Sequence, residues 1–177
     1  MTIDGSALGS ACYASVFMMT DQATALAAYT TTIGSYMDSN IGIIGNYSGM
    51  VGSNADPANG SYSLKFNLDF GDMANIKSFL SGLTDNADPD GFMVAMCADM
   101  MAHSTVSMTT PIIMTTSFTL TPATIDTATL ASCTTASDCW QIMGKAIVDN
   151  LKSLTFPPTA TTSIYGGSGI TTFVGVS

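Results

Sequence analysis

His103 is the only histidine in the chain, so any Ser, Cys or Thr nucleophile would have to use it as its base. Such a pair needs side chains within hydrogen-bond reach of each other. Cys97 lies six residues upstream, a separation that leaves the two poorly aligned on a helix. The thirteen acidic residues are all Asp, and most stand beside Gly, Asn or Pro or at helix starts, where Asp serves turns and caps. With no Glu and no Arg, the chain has no bidentate clamp for an anionic substrate. These residues predict a protein that is not an enzyme. A small hydrolase using paired aspartates ranks behind both non-catalytic readings developed below.

Metal chemistry has one foothold. No Cys and His occur at the close spacings that hold zinc. Asn86, Asp88 and Asp90 followed by Gly91 match the opening of a calcium loop, in which alternate oxygen ligands precede a Gly. The twelfth position is Cys97 instead of the closing Glu, and Pro89 stiffens the segment, so this is not an EF-hand. A weaker calcium site over Asp85, Asn86, Asp88 and Asp90 is the one cofactor expectation. The similar Asn54-Ala55-Asp56-Pro57 argues that both stretches are turns. Asn46-Tyr47-Ser48 and Asn59-Gly60-Ser61 are glycosylation sequons of a kind that chance supplies in so Ser- and Thr-rich a chain. The thirteen methionines sit largely in apolar runs, which suits core or interface packing.

Four cysteines, Cys12, Cys97, Cys133 and Cys139, permit two disulfides in any of three pairings. Cys133 and Cys139 flank a short polar loop and are the expected pair. Cys12 and Cys97 then pair internally, cross-link neighbouring copies, or stay reduced.

The elements that must position these residues are read from periodicity. Leu26, Tyr29, Ile33, Tyr36 and Met37 recur at helical spacing and predict a helix over 21–38. Its other face is Thr and Ala instead of charge. The Gly-rich run from Ile41 to Gly52 reads as an irregular or strand-like connection. Tyr62, Leu64, Phe66, Leu68 and Phe70 alternate with polar residues and predict a half-buried strand over 61–70. A helix capped by Asp72 follows, with Met73, Ile76, Phe79, Leu80 and Leu83 on its stripe. Residues 92–103 fit either period. The Thr-, Ile- and Val-rich stretches 104–109 and 112–121 predict strands broken at Pro111. Asp138 and Gln141 suggest the capped start of a helix carrying Trp140, Met143, Ile147, Leu151 and Leu154, and 164–176 supplies a terminal strand or hairpin.

The order predicts one domain over 1–177, with an N-terminal helix and Gly-rich extension over 1–60 and an α+β core over 61–177. The expected fold is an antiparallel sheet with helices on one face, in a ferredoxin-like βαββαβ order.

Composition bears on partners. Of 177 residues, 46% are hydrophobic and only 10% charged, against about 25% charged in ordinary soluble domains. Ser and Thr supply 45 residues, and a surface built from them is buried against a neighbour far more cheaply than one of Lys and Glu. The net charge of −9 excludes phosphate neutralisation, hence nucleic-acid binding. No run of 18 apolar residues predicts membrane insertion. The segment Ser6 to Met19 is mildly apolar but no Lys or Arg precedes it, so it lacks the cationic start of a signal peptide. The expectation is a structural subunit that polymerises with copies of itself into a sheath, coat, tube or filament, on an extracellular cell surface or in a virion. Strand edges around Tyr62, Leu64, Phe66, Thr172 and Val174, together with the Thr-rich strands over 104–121, are the expected contacts. The alternative is a secreted binding module, calcium-dependent if the Asp85–Asp90 loop is loaded.

Overall fold

The computed structural model describes residues 3–40, 67–83, 88–105 and 118–155 in full; for the strand residues between and after these it describes backbone pairing alone. Among the fully described residues 69% are helical and 4% extended. Helices α1 (Gly5–Val16), α2 (Gln22–Asn40), α3 (Ala74–Gly82), α4 (Pro89–His103), α5 (Thr127–Ala131) and α6 (Ala136–Lys152), with the segments flanking them, contain every described buried side chain. This overturns the expected α+β fold, in which an antiparallel sheet carries the core. The described core is built helix on helix.

Backbone pairing joins β1 (Ile43–Val51), β2 (Asp56–Asn67), β3 (Thr105–Met108), β4 (Ile112–Ile113), β5 (Ala160–Ile164) and β6 (Gly167–Val176) in the order β3-β2-β1-β6-β5-β4, with every pair antiparallel. This is two meanders joined through β1 and β6, so the βαββαβ order over 61–177 does not hold. Tyr62, Leu64 and Phe66 fall on β2, between β1 and β3, and Thr172 and Val174 fall on β6, between β1 and β5. These two expected edges are therefore interior in this pairing, while β3 and β4, within the expected 104–121, are its two end strands. The alternation that ran to Phe70 ends at Asn67, and Phe70 is a buried loop residue of the helical core. Phe118 and Leu120, read as strand, are likewise buried loop residues.

The helix expected over 21–38 forms as α2 and buries Leu26, Tyr29, Ile33 and Met37. The ambiguous stretch from Phe92 is helix α4. Met93, Ala95, Met96, Cys97, Asp99 and Met100 are all buried there, which spreads apolar residues around the helix and erases any period in its sequence. Ala and Met are strong helix formers, and that preference prevails. Helix α6 begins one turn before the expected position: Thr135 is the N-cap, and Asp138 is the N3 partner that completes its capping box.

Helix α1 was not expected at all. Asp4 caps it, accepting the Ser6 N–H at 2.8 Å and the Ala7 N–H at 3.3 Å. It lies antiparallel to α6, with Gly5 opposite Lys145 and Gly9 opposite Trp140 and Gln141. The two backbones touch. A Cβ on Gly9 would lie 2.1 Å from the Trp140 carbonyl oxygen, and one on Gly144 would lie 2.2 Å from the Gly5 carbonyl oxygen. Only glycine permits that approach.

Helix α3 is started from a distance. Its N-cap position is Met73, held at φ 59 in the left-handed region, and Asp72 accepts only the Ala74 N–H at 3.2 Å. The fully buried Asp99 of α4 accepts the Asn75 N–H (3.1 Å), the Ile76 N–H (3.0 Å) and the Asn75 side-chain amide (2.7 Å). These bonds satisfy the donors that a helix start leaves open.

Candidate functional site

Five of the helices enclose an open apolar groove of about 410 Å3. Helix α1 contributes Val16 at its end, α2 contributes Gln22, Ala25, Leu26 and Tyr29, and α3 contributes Leu80. Phe92 on α4 and Cys139, Trp140 and Met143 on α6 complete the wall. Amphipathic spacing explains the placement: Leu26 and Tyr29 are three apart on α2, and Trp140 and Met143 three apart on α6, so each pair shares one face. Among the described residues, no charged side chain lines the groove.

Three aromatic rings form its floor. Tyr29 meets Trp140 edge-on at 5.4 Å between ring centres and Phe92 at 6.1 Å, within the range of favourable aromatic pairs. The Tyr29 hydroxyl is buried and has no hydrogen-bond partner among the described residues. Burial pushes its pKa well above the ordinary value, and the nearby Cys12 thiol adds to the shift. Beside the groove, at the turn from α1 to α2, Phe17 is 61% exposed and Met18 83% exposed. Solvent-facing apolar side chains of this size mark contact surfaces when they adjoin a larger apolar patch.

The cysteines divide into two kinds, all four being free thiols. Cys12 and Cys97 are sealed in the core, where burial pushes their pKa values up to about 12 and about 11, so neither forms a thiolate at neutral pH. Cys133 and Cys139 are half-buried thiols, and the neighbouring Cys139 side chain pushes the Cys133 thiol up to about 11.

His103 ends α4, exposed, and its ring lies where a Cβ on Gly71 (φ +55) would sit, 2.5 Å from three ring atoms. It therefore packs against the backbone of the turn before α3, while Cys97 is enclosed in the core. Of the calcium candidates, Asp88 caps α4 by accepting the Gly91 N–H at 2.9 Å, and Asp90 accepts the Ile125 N–H at 2.6 Å. Asp85 and Asn86 lie outside the described residues. Among the described residues no group of three or more His, Cys, Asp or Glu is placed to hold a metal ion, and no helix is long and apolar enough to cross a membrane.

Sequence reasoning named Leu26, Tyr29, Leu80, Trp140 and Met143 only as helix stripes. What it missed is that the stripes of separate helices leave a groove between them, and that Val16 ends a helix bordering it, with Phe17 at its C-cap. Asp4 followed by Ser, Ala and Leu was the available signal for that helix. No known family model matches the chain, and no match to a curated protein or to a solved structure was found.

Proposed function

We propose that this chain is a structural subunit that associates with copies of itself, on an extracellular cell surface or in a virion, through neutral Ser-, Thr- and Met-bearing surfaces and exposed apolar side chains. The observation that carries this reading is the pair Phe17 and Met18, 61% and 83% exposed beside the apolar groove. Fully burying an aromatic or methionine side chain is worth roughly 1.5–3 kcal/mol, so the pair offers a contact about as much as one subunit interface needs at its centre. The surrounding surface opposes burial weakly. The exposed face of α2 carries Ala23, Ala27, Thr31 and Ser35, with Asp38 its one charged residue, so most of it costs no ion its hydration.

Sedimentation velocity at micromolar concentration tests the proposal. The wild-type chain is expected to sediment as species larger than a monomer. A Phe17→Asp, Met18→Asp double variant is expected to give folded monomers, since both side chains already face solvent and each new carboxylate must be desolvated in a contact. A wild-type chain that stays monomeric, with calcium added or chelated, overturns the reading.

A second reading, a secreted binding module, is favoured by the groove itself, whose volume falls within the roughly 300–1,000 Å3 of small-molecule sites. A monomer whose Trp140 emission is quenched by an apolar dye would support it.

A further inference from the structure

Cys133 and Cys139 are separated by five residues, yet the fold brings their sulfurs onto neighbouring carbonyls of one helix end. The Cys133 Sγ lies 3.7 Å from the Thr129 carbonyl oxygen and the Cys139 Sγ 4.0 Å from the Leu130 carbonyl oxygen. The α5 end and the first turn of α6 hold both in place. The Cys133 N–H bonds Leu130 at 3.1 Å, and the Cys139 N–H bonds Thr135 at 3.4 Å. The two thiols are half-buried, open to small reagents, while Cys12 and Cys97 are enclosed. Cys139 is also part of the groove wall, next in sequence to Trp140.

We propose that Cys133 and Cys139 are a redox modification site: a dithiol that is converted to a disulfide by exchange with a low-molecular-weight disulfide of the glutathione type, fixing the groove wall to α5. The thiolate of one cysteine attacks a sulfur of the oxidised reagent, forming a mixed disulfide and expelling one reagent thiolate. The second cysteine, losing its own proton, attacks the protein sulfur of that mixed disulfide and expels the other. One disulfide bond breaks and one forms. The two protons lost by the cysteines end on the two reagent thiols, and the two electrons pass from the protein sulfurs to the reagent. The attacking species is the thiolate, and the neighbouring Cys139 raises the Cys133 thiol, so the exchange quickens as pH rises toward the thiol range. This site stands on its own geometry, whether or not the chain assembles.

The full chain is equilibrated in glutathione buffers from fully reduced to fully oxidised and mapped by non-reducing peptide mass spectrometry. The expected result is a single intrachain Cys133–Cys139 bond with Cys12 and Cys97 still free. Trp140, the only tryptophan, is expected to lose emission in step, since a disulfide quenches an adjacent indole. Cys133→Ser and Cys139→Ser are each expected to abolish both signals and to retain one glutathione on the surviving thiol. Four free thiols in fully oxidising buffer, with circular dichroism unchanged, overturn the proposal. So does glutathione retained on the wild-type pair, or a bond that joins two copies.

Discussion

Replacing Gly144 with Ala tests whether the backbone contact between α1 and α6 holds the helical body together. A Cβ there would meet the Gly5 carbonyl oxygen at 2.2 Å, the Gly9 nitrogen at 2.4 Å and the Gly9 Cα at 2.7 Å. All three atoms belong to backbone, so no side chain can swing aside. Restoring a contact of about 3.5 Å requires α1 to retreat by roughly 1 Å. Overpacking of this kind costs about 1–3 kcal/mol, and the rigid partner argues for the upper end. Against it stands the better helix propensity of Ala, about 1 kcal/mol. The expected net loss is about 2 kcal/mol, a fall in Tm of about 4–8 °C for a chain of this size. Gly34→Ala in the middle of α2 is the control, because a Cβ there meets only the Leu68 carbonyl oxygen at an ordinary 3.8 Å. That variant keeps the propensity gain and is expected to be more stable than wild type by up to about 1 kcal/mol. Urea unfolding followed by circular dichroism reads both. A Gly144→Ala protein as stable as wild type would refute the close helix contact and the reasoning built on it.

Two other predictions concern polar groups. Asp99→Ala leaves the Asn75 and Ile76 N–H groups without their buried acceptor, at about 1–3 kcal/mol each, so thermal unfolding should show a loss of about 3 kcal/mol, with Asp99→Asn less affected because one acceptor oxygen remains. Bonds from Thr24 to Asp21, and from Thr135 and Thr134 to Asp138, hold both carboxyls below the ordinary value of 3.8. Their contribution to stability is therefore complete above pH 3.8 and disappears as pH falls through the lower folded values. Asp138→Asn should flatten the acid limb of a stability-versus-pH curve; an unchanged limb would remove this cap from the account.

Composition and local spacing determined the parts that depend on near neighbours. The stripe Leu26, Tyr29, Ile33 and Met37 marked α2, the Ile147 and Leu151 stripe marked α6, and the near adjacency of Cys133 and Cys139 in sequence marked them as potential partners. Each of these is a relation within one turn or one short loop. The sheet-centred fold failed because Thr- and Val-rich stretches carry β propensity while the Met-rich α4, buried on most of its surface, shows no helical period. Tertiary structure alone decided the rest. Asp99 caps a helix 24 residues away in sequence, Gly9 and Gly144 let two distant helices touch, and the apolar groove is the space left where five helices converge, only three of which carry a stripe readable in the sequence. None of these relations has a spacing to read, because each forms between residues that only the packed core brings together.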